Sequence, residues 1–371
     1  MFAVTIPKWG LSMEEGTVVQ WLKKEGDPVA EGEEIVEIET EKINNGMESP
    51  ASGTLRRIVA PVGQRLAVGS LIAVLADSGA SDEEVDAFIA RQARAAERGD
   101  GGGADPGAFS HSTIPTSLGE VRVARGGCAT GRPVVLLHGY AADLNGWLFT
   151  MEALARDFPV IAVDLPGHGE STKAVGDGST ATLAGVVIEV LDALKLDAVN
   201  LVGHSMGAAV ATRVAAAHAP RVHTLVAVAP ALYPGTRLSA EFLEGIATAQ
   251  RARDLLPWLQ QLVTDPALVT KEMIDNVVRY KRLDGVEEAL DAIRRRLASA
   301  DEVQQVHADL AQVRNLVVIV AGQDRVVGQA DPAALPAGAR LERIEDAGHV
   351  PHLERPAQLN ALLRAALGAQ A

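Results

Sequence analysis

"AVNLVGHSMGAAVATRVAAAH", residues 198–218, carries three kinds of backbone in one run. Val199, Leu201 and Val202 read as a short buried strand, and the alanine-rich "AAVATRVAAAH" reads as a helix. Between them Gly203-His204-Ser205-Met206-Gly207 sets a glycine on each side of a serine. That spacing lets a strand turn sharply into a helix where larger residues would collide, and it leaves the serine exposed at the apex. Ser205 is therefore a candidate nucleophile. Outward from it, the runs "PVVLL" (133–137), "PVIAV" (159–163), "TLVAVA" (224–229) and "NLVVIVA" (315–321) alternate with helical stretches. None shows strict in/out alternation, as expected of strands covered on both faces, so the pattern predicts a largely parallel sheet between helices.

A serine hydroxyl is a weak nucleophile until a base takes its proton and an acid orients that base. Asp324 follows the strand "NLVVIVA", and His349 lies in "AGHVPHLERP". With "PVVLLHGY", "VDLPGHGES" and "GHSMGAAVA", this part of the chain resembles the α/β-hydrolase family over most of its length from residue 113 onward. The resemblance implies that Ser205 is the nucleophile, His349 the base and Asp324 the orienting acid. It further implies an oxyanion hole made by the backbone N–H groups of Met206 and Tyr140. His352 is three residues past the Ala-Gly-His position, Asp301 and Asp346 follow no clear strand end, and His138, Asp164 and His168 read as loop-shaping. No dinucleotide fingerprint or zinc-binding His-Glu-x-x-His occurs, and no metal is expected. The long insertion over about 231–306 reads as a helical lid, in which Phe242, Leu255, Leu256 and Trp258 are candidates to line an acyl channel. "RYKR" (279–282) and "RRR" (294–296) are candidates to meet the phosphates of coenzyme A.

The first 77 residues have a different grammar. Gly16, Thr17, Gly26, Val29, Gly32 and Ile35 recur, at one constant spacing, as Gly53, Thr54, Gly63, Leu66, Gly69 and Ile72. Repeated glycines mean that the same backbone turns are made twice. With "VVQWL", "IVEIE" and "LIAVL" as strands, the two halves predict a small two-fold β-sandwich or flattened barrel. Lys42, in "EIETEKINNG" (37–46), falls on the hairpin between the halves and has no counterpart in the second. The stretch "MEEGTVVQWLKKEGDPVAEGEEIVEIETEKI" resembles the lipoyl domains of 2-oxo-acid and acetoin dehydrogenase complexes, which implies lipoate attached to Lys42. The biotinyl relatives carry Met-Lys-Met where this chain has Glu41-Lys42-Ile43. Residues 78–112 read as a linker, with a helix opening on a Ser81/Glu84 capping box and ending in the hinge "GDGGGADPG".

The expected organisation is thus multidomain: an all-β lipoyl domain (1–77), a linker (78–112) and an α/β-hydrolase domain with a helical lid (113–371). A net charge of −14 over 371 residues argues against nucleic-acid binding. One cysteine excludes a disulfide framework, and no apolar run suggests a signal peptide or a bilayer span, so a cytoplasmic protein is expected. The usual acyltransferase signature His-x-x-x-Asp-Gly of oxo-acid dehydrogenases is missing. A lipoyl domain joined to an α/β-hydrolase domain resembles the E2 subunits of bacterial acetoin dehydrogenase systems. That resemblance implies acetyl transfer from S-acetyldihydrolipoyl-Lys42 to coenzyme A, a thiamine-diphosphate E1 and a dihydrolipoamide dehydrogenase E3 as partners, and a homo-oligomer. The alternative is a lipoyl-bearing hydrolase that uses water on a thioester, an ester or a C–C bond.

Overall fold

The computed structural model describes residues 1–7, 15–30, 32–39, 44–76, 79–97 and 109–368. By contacts the chain divides into two units, Met1–Ala108 and Phe109–Ala371.

The first unit holds β1 (Phe2–Thr5), β2 (Glu15–Trp21), β3 (Pro28–Val29), β4 (Glu34–Glu39), β5 (Asn44–Glu48), β6 (Gly53–Ile58), β7 (Arg65–Ala67), β8 (Leu71–Ala76) and helix α1 (Asp82–Glu97). Its strands form two antiparallel four-stranded sheets, ordered β1-β8-β6-β3 and β5-β4-β2-β7. The repeat explains both orders. β2, β3 and β4 correspond to β6, β7 and β8, and each sheet takes its two inner strands from one half and its two outer strands from the other. The repeated glycines perform matched tasks. Gly26 donates its N–H to the Leu55 carbonyl at 2.7 Å and Gly63 to that of Val18 at 2.7 Å. Gly26 and Gly63 have φ of 93° and 86°, a left-handed backbone that favours glycine. Val4, Ile6, Val18, Ile35, Ile38, Leu55 and Ile72 close the core between the sheets. Helix α1 belongs to this unit: Val85 is fully buried, and Arg56 and Arg57 pair with Asp82 and Asp86 at 3.0 and 2.8 Å. Its capping box is reciprocal, with the Ser81 N–H on Glu84 at 2.8 Å and the Glu84 N–H on Ser81 at 3.3 Å.

The second unit is built on an eight-stranded sheet: β9 (Ser110–Thr116), β10 (Gly119–Gly127), β11 (Val134–Leu137), β12 (Pro159–Val163), β13 (Val199–His204), β14 (Val222–Val228), β15 (Leu316–Ala321) and β16 (Arg340–Ile344). The order is β16-β15-β14-β13-β11-β12-β10-β9, with β10 antiparallel to both its neighbours, β9 and β12, and the other pairs parallel. α2 (Leu148–Leu154), α3 (Thr180–Ala193) and α4 (Met206–Ala217) lie between these strands in sequence, and α10 (Pro351–Glu354) and α11 (Pro356–Leu367) follow β16; separate apolar clusters contain α3 and α4 side chains on the one hand and α2 and α11 side chains on the other. Between β14 and β15 come α5 (Ala240–Thr248), α6 (Ala252–Gln261), α7 (Lys271–Lys281), α8 (Val286–Leu297) and α9 (Ala300–Leu310). α9 packs on α4, whereas α5, α6 and α8 supply side chains to a cavity above the β13–α4 turn. Among the described residues no helix is long and apolar enough to cross a membrane.

Candidate active site

Ser205 sits at the junction of β13 and α4 with φ 53° and ψ −117°, a strained backbone for a side chain other than glycine. Its flanking glycines are required by space. A Cβ on Gly203 would collide with the Gly207 backbone, and one on Gly207 with the carbonyl oxygens of Leu137 and His138. The turn therefore closes only when both positions are bare.

His349 Nε2 stands 2.9 Å from Ser205 Oγ, and His349 Nδ1 stands 2.9 Å from Asp324 Oδ2. All three side chains are buried. The other carboxylate oxygen of Asp324 accepts the N–H groups of Val326 and Val327 at 2.8 and 3.0 Å. Burial pushes the Asp324 carboxyl up, but His349 and these two N–H groups outweigh it and hold the carboxyl below its usual range. Asp324 is thus kept ionised beside the imidazole. The three side chains read from the sequence converge, with the connectivity that lets a histidine accept a serine proton.

A cavity of about 70 Å³ lies over Ser205. Gly139, Tyr140, Met206 and His349 line it on the sheet side, and Phe242, Leu243, Ile246, Leu259, Leu262 and Leu297 on the helical side. Tyr140 and Met206, the residues expected to supply the oxyanion hole, thus border the same space as Ser205. The Tyr140 hydroxyl donates to the Leu290 carbonyl of α8 at 2.9 Å, which ties its loop to the helices above. Of the apolar residues expected to line a channel, Phe242 reaches this cavity. Leu255 is buried in the core, and the Trp258 ring lies against Gly245.

The other histidines and acids do different work. His138 Nε2 accepts the Leu165 N–H at 2.9 Å and its Nδ1 donates to the Gly139 carbonyl at 2.8 Å, so burial holds it neutral as a loop brace. Buried Asp164 accepts N–H groups from Leu144 and Glu170 at 2.7 and 3.0 Å. Asp346 pairs with Arg355 at 2.6 Å, away from His349. Four cations of the basic runs are also engaged. Lys281 is buried and donates to the Ile246 and Ala247 carbonyls at the end of α5. Arg294 and Arg296 pair with Glu244 and Asp177 at 2.6 and 2.6 Å, and Arg295 pairs with Asp291. These cations face carbonyls and carboxylates of the helices and of the Asp177 loop.

Two supports escaped the sequence reading. His204 Nε2 donates to the His349 carbonyl at 2.7 Å, and its ring packs 4.9 Å from that of His349 and 4.5 Å from that of His352. Glu354 is buried and accepts the Gly348 N–H at 2.6 Å. His204 was visible as the second residue of Gly-His-Ser-Met-Gly; Glu354 carried no signal beyond its nearness to His349.

Lys42 lies outside the described residues, between Glu39 and Asn44, the last paired residues of the antiparallel β4–β5 hairpin.

A sheet of this order, with a serine elbow and a histidine–aspartate pair after β15 and β16, defines an α/β-hydrolase-fold protein, here with a small two-sheet module ahead of it. Family profiles agree: one described as "alpha/beta hydrolase fold" matches residues 132–356, and one described as "biotin-requiring enzyme", for biotin and lipoyl attachment, matches residues 3–75. Dihydrolipoyllysine-residue acetyltransferase components of acetoin cleaving systems are 38% identical in Cupriavidus necator (98% of this chain, 97% of that one) and 40% identical in Pseudomonas putida (98% of each). The chain belongs to that family, which is a family of acyltransferases. A Rhodococcus 2-hydroxy-6-oxo-6-phenylhexa-2,4-dienoate hydrolase, 20% identical, shares the fold with a TM-score of 0.63 over 71% of this chain and 99% of its own.

Proposed function

We propose that this chain moves an acetyl group from an S-acetyldihydrolipoyl thioester, carried on Lys42, to coenzyme A in acetoin breakdown. The observation that carries this reading is the unbroken Asp324–His349–Ser205 relay, at 2.9 and 2.9 Å, opening on a small apolar cavity in a chain that also bears a lipoyl-type module. A hairpin whose paired strands stop at Glu39 and Asn44 suits a presented lysine. Lipoate bound there would supply a thiol on a long tether, raising the local concentration of the acyl group at its acceptor site.

His349 Nε2 takes the Ser205 proton as Oγ attacks the thioester carbonyl carbon. The oxyanion is met by the N–H groups of Met206 and Tyr140; loss of one such donor costs about 3–4 kcal/mol of transition-state stabilisation. The C–S bond breaks, and His349 returns the proton to the departing thiol. The coenzyme A thiol next gives its proton to His349 while its sulfur attacks the acetyl-serine carbonyl. The C–O bond breaks and Oγ recovers the proton. Asp324 holds the Nδ1–H throughout, so that Nε2 faces the serine. A thiamine-diphosphate E1 and a dihydrolipoamide dehydrogenase E3 would be the partners that load and reoxidise a lipoyl group held on Lys42.

The test supplies S-acetyldihydrolipoamide to the purified protein with and without coenzyme A, and quantifies acetyl-coenzyme A and acetate separately. Acetyl-coenzyme A as the main product, with little acetate in its absence, supports the transferase. Equal acetate under both conditions makes the protein a hydrolase.

A further inference from the structure

Glu354 touches neither Ser205 nor the cavity, yet it is buried, and no ion pair reaches its carboxylate among the described residues. Its two oxygens serve two different segments. Oε2 accepts the N–H of Gly348, the residue before His349, at 2.6 Å. Oε1 accepts the N–H and the hydroxyl of Thr264 at 2.6 and 2.7 Å. Thr264 lies just past the end of α6, two residues beyond Leu262, which lines the cavity. The segments also touch directly: a Cβ on Gly348 would lie 2.7 Å from the Leu262 carbonyl oxygen and 2.9 Å from Glu354 Oε2. Three charge-assisted hydrogen bonds in a dry site hold such a junction far more firmly than neutral ones would. A shift of the α6 end must therefore either strip Glu354 of its donors or pull on the backbone next to His349.

We propose that Glu354 is a positioning residue that fastens the lid to the histidine loop and so decides whether thiol or water takes the acyl group from Ser205. The proposal rests on the acyl-serine route above. Hydrolysis needs only that a water oxygen attack the acetyl-serine carbonyl in place of the thiol sulfur. His349 would take the water's proton and return it to Oγ, releasing acetate. Nothing in the Ser205–His349–Asp324 relay forbids this; a wall that stays shut does. Leu259 and Leu262 form part of that wall, and Glu354 pins the segment that follows them.

Glu354→Gln tests the link. The amide keeps the shape but turns one acceptor into a donor, so it faces an N–H donor at either Gly348 or Thr264 and one side of the strap opens. Thr264→Val is a milder second variant that removes the hydroxyl bond and leaves the Thr264-position N–H in place. With S-acetyldihydrolipoamide and saturating coenzyme A, the ratio of acetate to acetyl-coenzyme A rises about tenfold in E354Q and two- to threefold in T264V. An unchanged ratio in T264V and in folded E354Q, even with both rates lowered together, overturns the proposal and leaves Glu354 a purely structural brace. Should E354Q not fold, the T264V ratio decides alone. Acetate as the main product of the unaltered protein overturns the transferase reading itself, and the proposal with it.

Discussion

At the scale of single residues, the convergence of the candidate site was legible because a serine elbow dictates its own setting. Ser205 needed glycines on both sides, and the Ala-Gly-His position pointed to His349 rather than His352. The structure brings His349 and Asp324 to the serine and leaves His352 stacked 4.8 Å from Trp147. What could not be read was the support beneath. His204 and Glu354 act through backbone atoms of the histidine loop, and such pairings depend on a fold that composition does not encode. Ser205→Ala should reduce acetyl transfer below a tenth of normal; retention above that level would rule out an acetyl-serine intermediate. His352 gives a pH prediction. Burial, with the neighbouring His349 charge adding to it, pushes its imidazole down to about 3. Between that value and about 6.5 the unfolded chain binds a proton there that the folded chain does not, so stability falls as pH drops below 6.5. The slope from one such group is about 1.4 kcal/mol per pH unit. His352→Phe should therefore shrink the difference in unfolding free energy between pH 7.5 and pH 5 by about 2 kcal/mol, measured by urea denaturation at both pH values. An unaltered difference would mean that His352 is protonated in the folded protein.

At the scale of elements, the legible features were those in which spacing encodes a collision. The strand–turn–helix at 199–217 is one, since Gly207 leaves no room for a side chain beneath the Leu137 and His138 carbonyls. Gly207→Ala should cost about 1–3 kcal/mol of stability from overpacking. It should also cost about a hundredfold in acetyl transfer, because displacing His138 displaces Tyr140 two residues on. Thermal unfolding and the acetyl-coenzyme A assay check both, and full activity would show that the turn can yield. The basic runs were not legible in the same way. Sequence shows that Lys281 and Arg294–Arg296 are cationic but not what faces them, and here carbonyls and carboxylates do. Helix α1 is a similar case. Its capping box was readable, but its union with β6 through Arg56 and Arg57 joins residues about thirty positions apart, with no periodic signature.

At the scale of the whole molecule, the chain forms two units with separate cores, and the proposed function assigns carrying to the first and chemistry to the second. Lys42→Arg should abolish the mass gain of lipoylation and all turnover coupled to E1 and E3. It should leave transfer from free S-acetyldihydrolipoamide at the unaltered rate; loss of that activity as well would mean that the first unit serves the catalytic centre directly. The internal repeat has a consequence of its own. Under the correspondence of the halves, β5 matches β1 and the β4–β5 hairpin matches the pair β8–β1, the place where the chain enters and leaves the sandwich. The two places lie at opposite ends: β6 starts at Gly53 beside Ala76 and leads on to Arg65, which pairs with Thr17 next to Glu39. Joining Ala76 to Phe2 through a copy of the Thr-Glu-Lys-Ile segment would thus make a closed chain of eight strands with a lysine in the connection at each end. A ligase that loaded both poles would be reading the shape of the strand ends; one that loaded only Lys42 would be reading the residues around it.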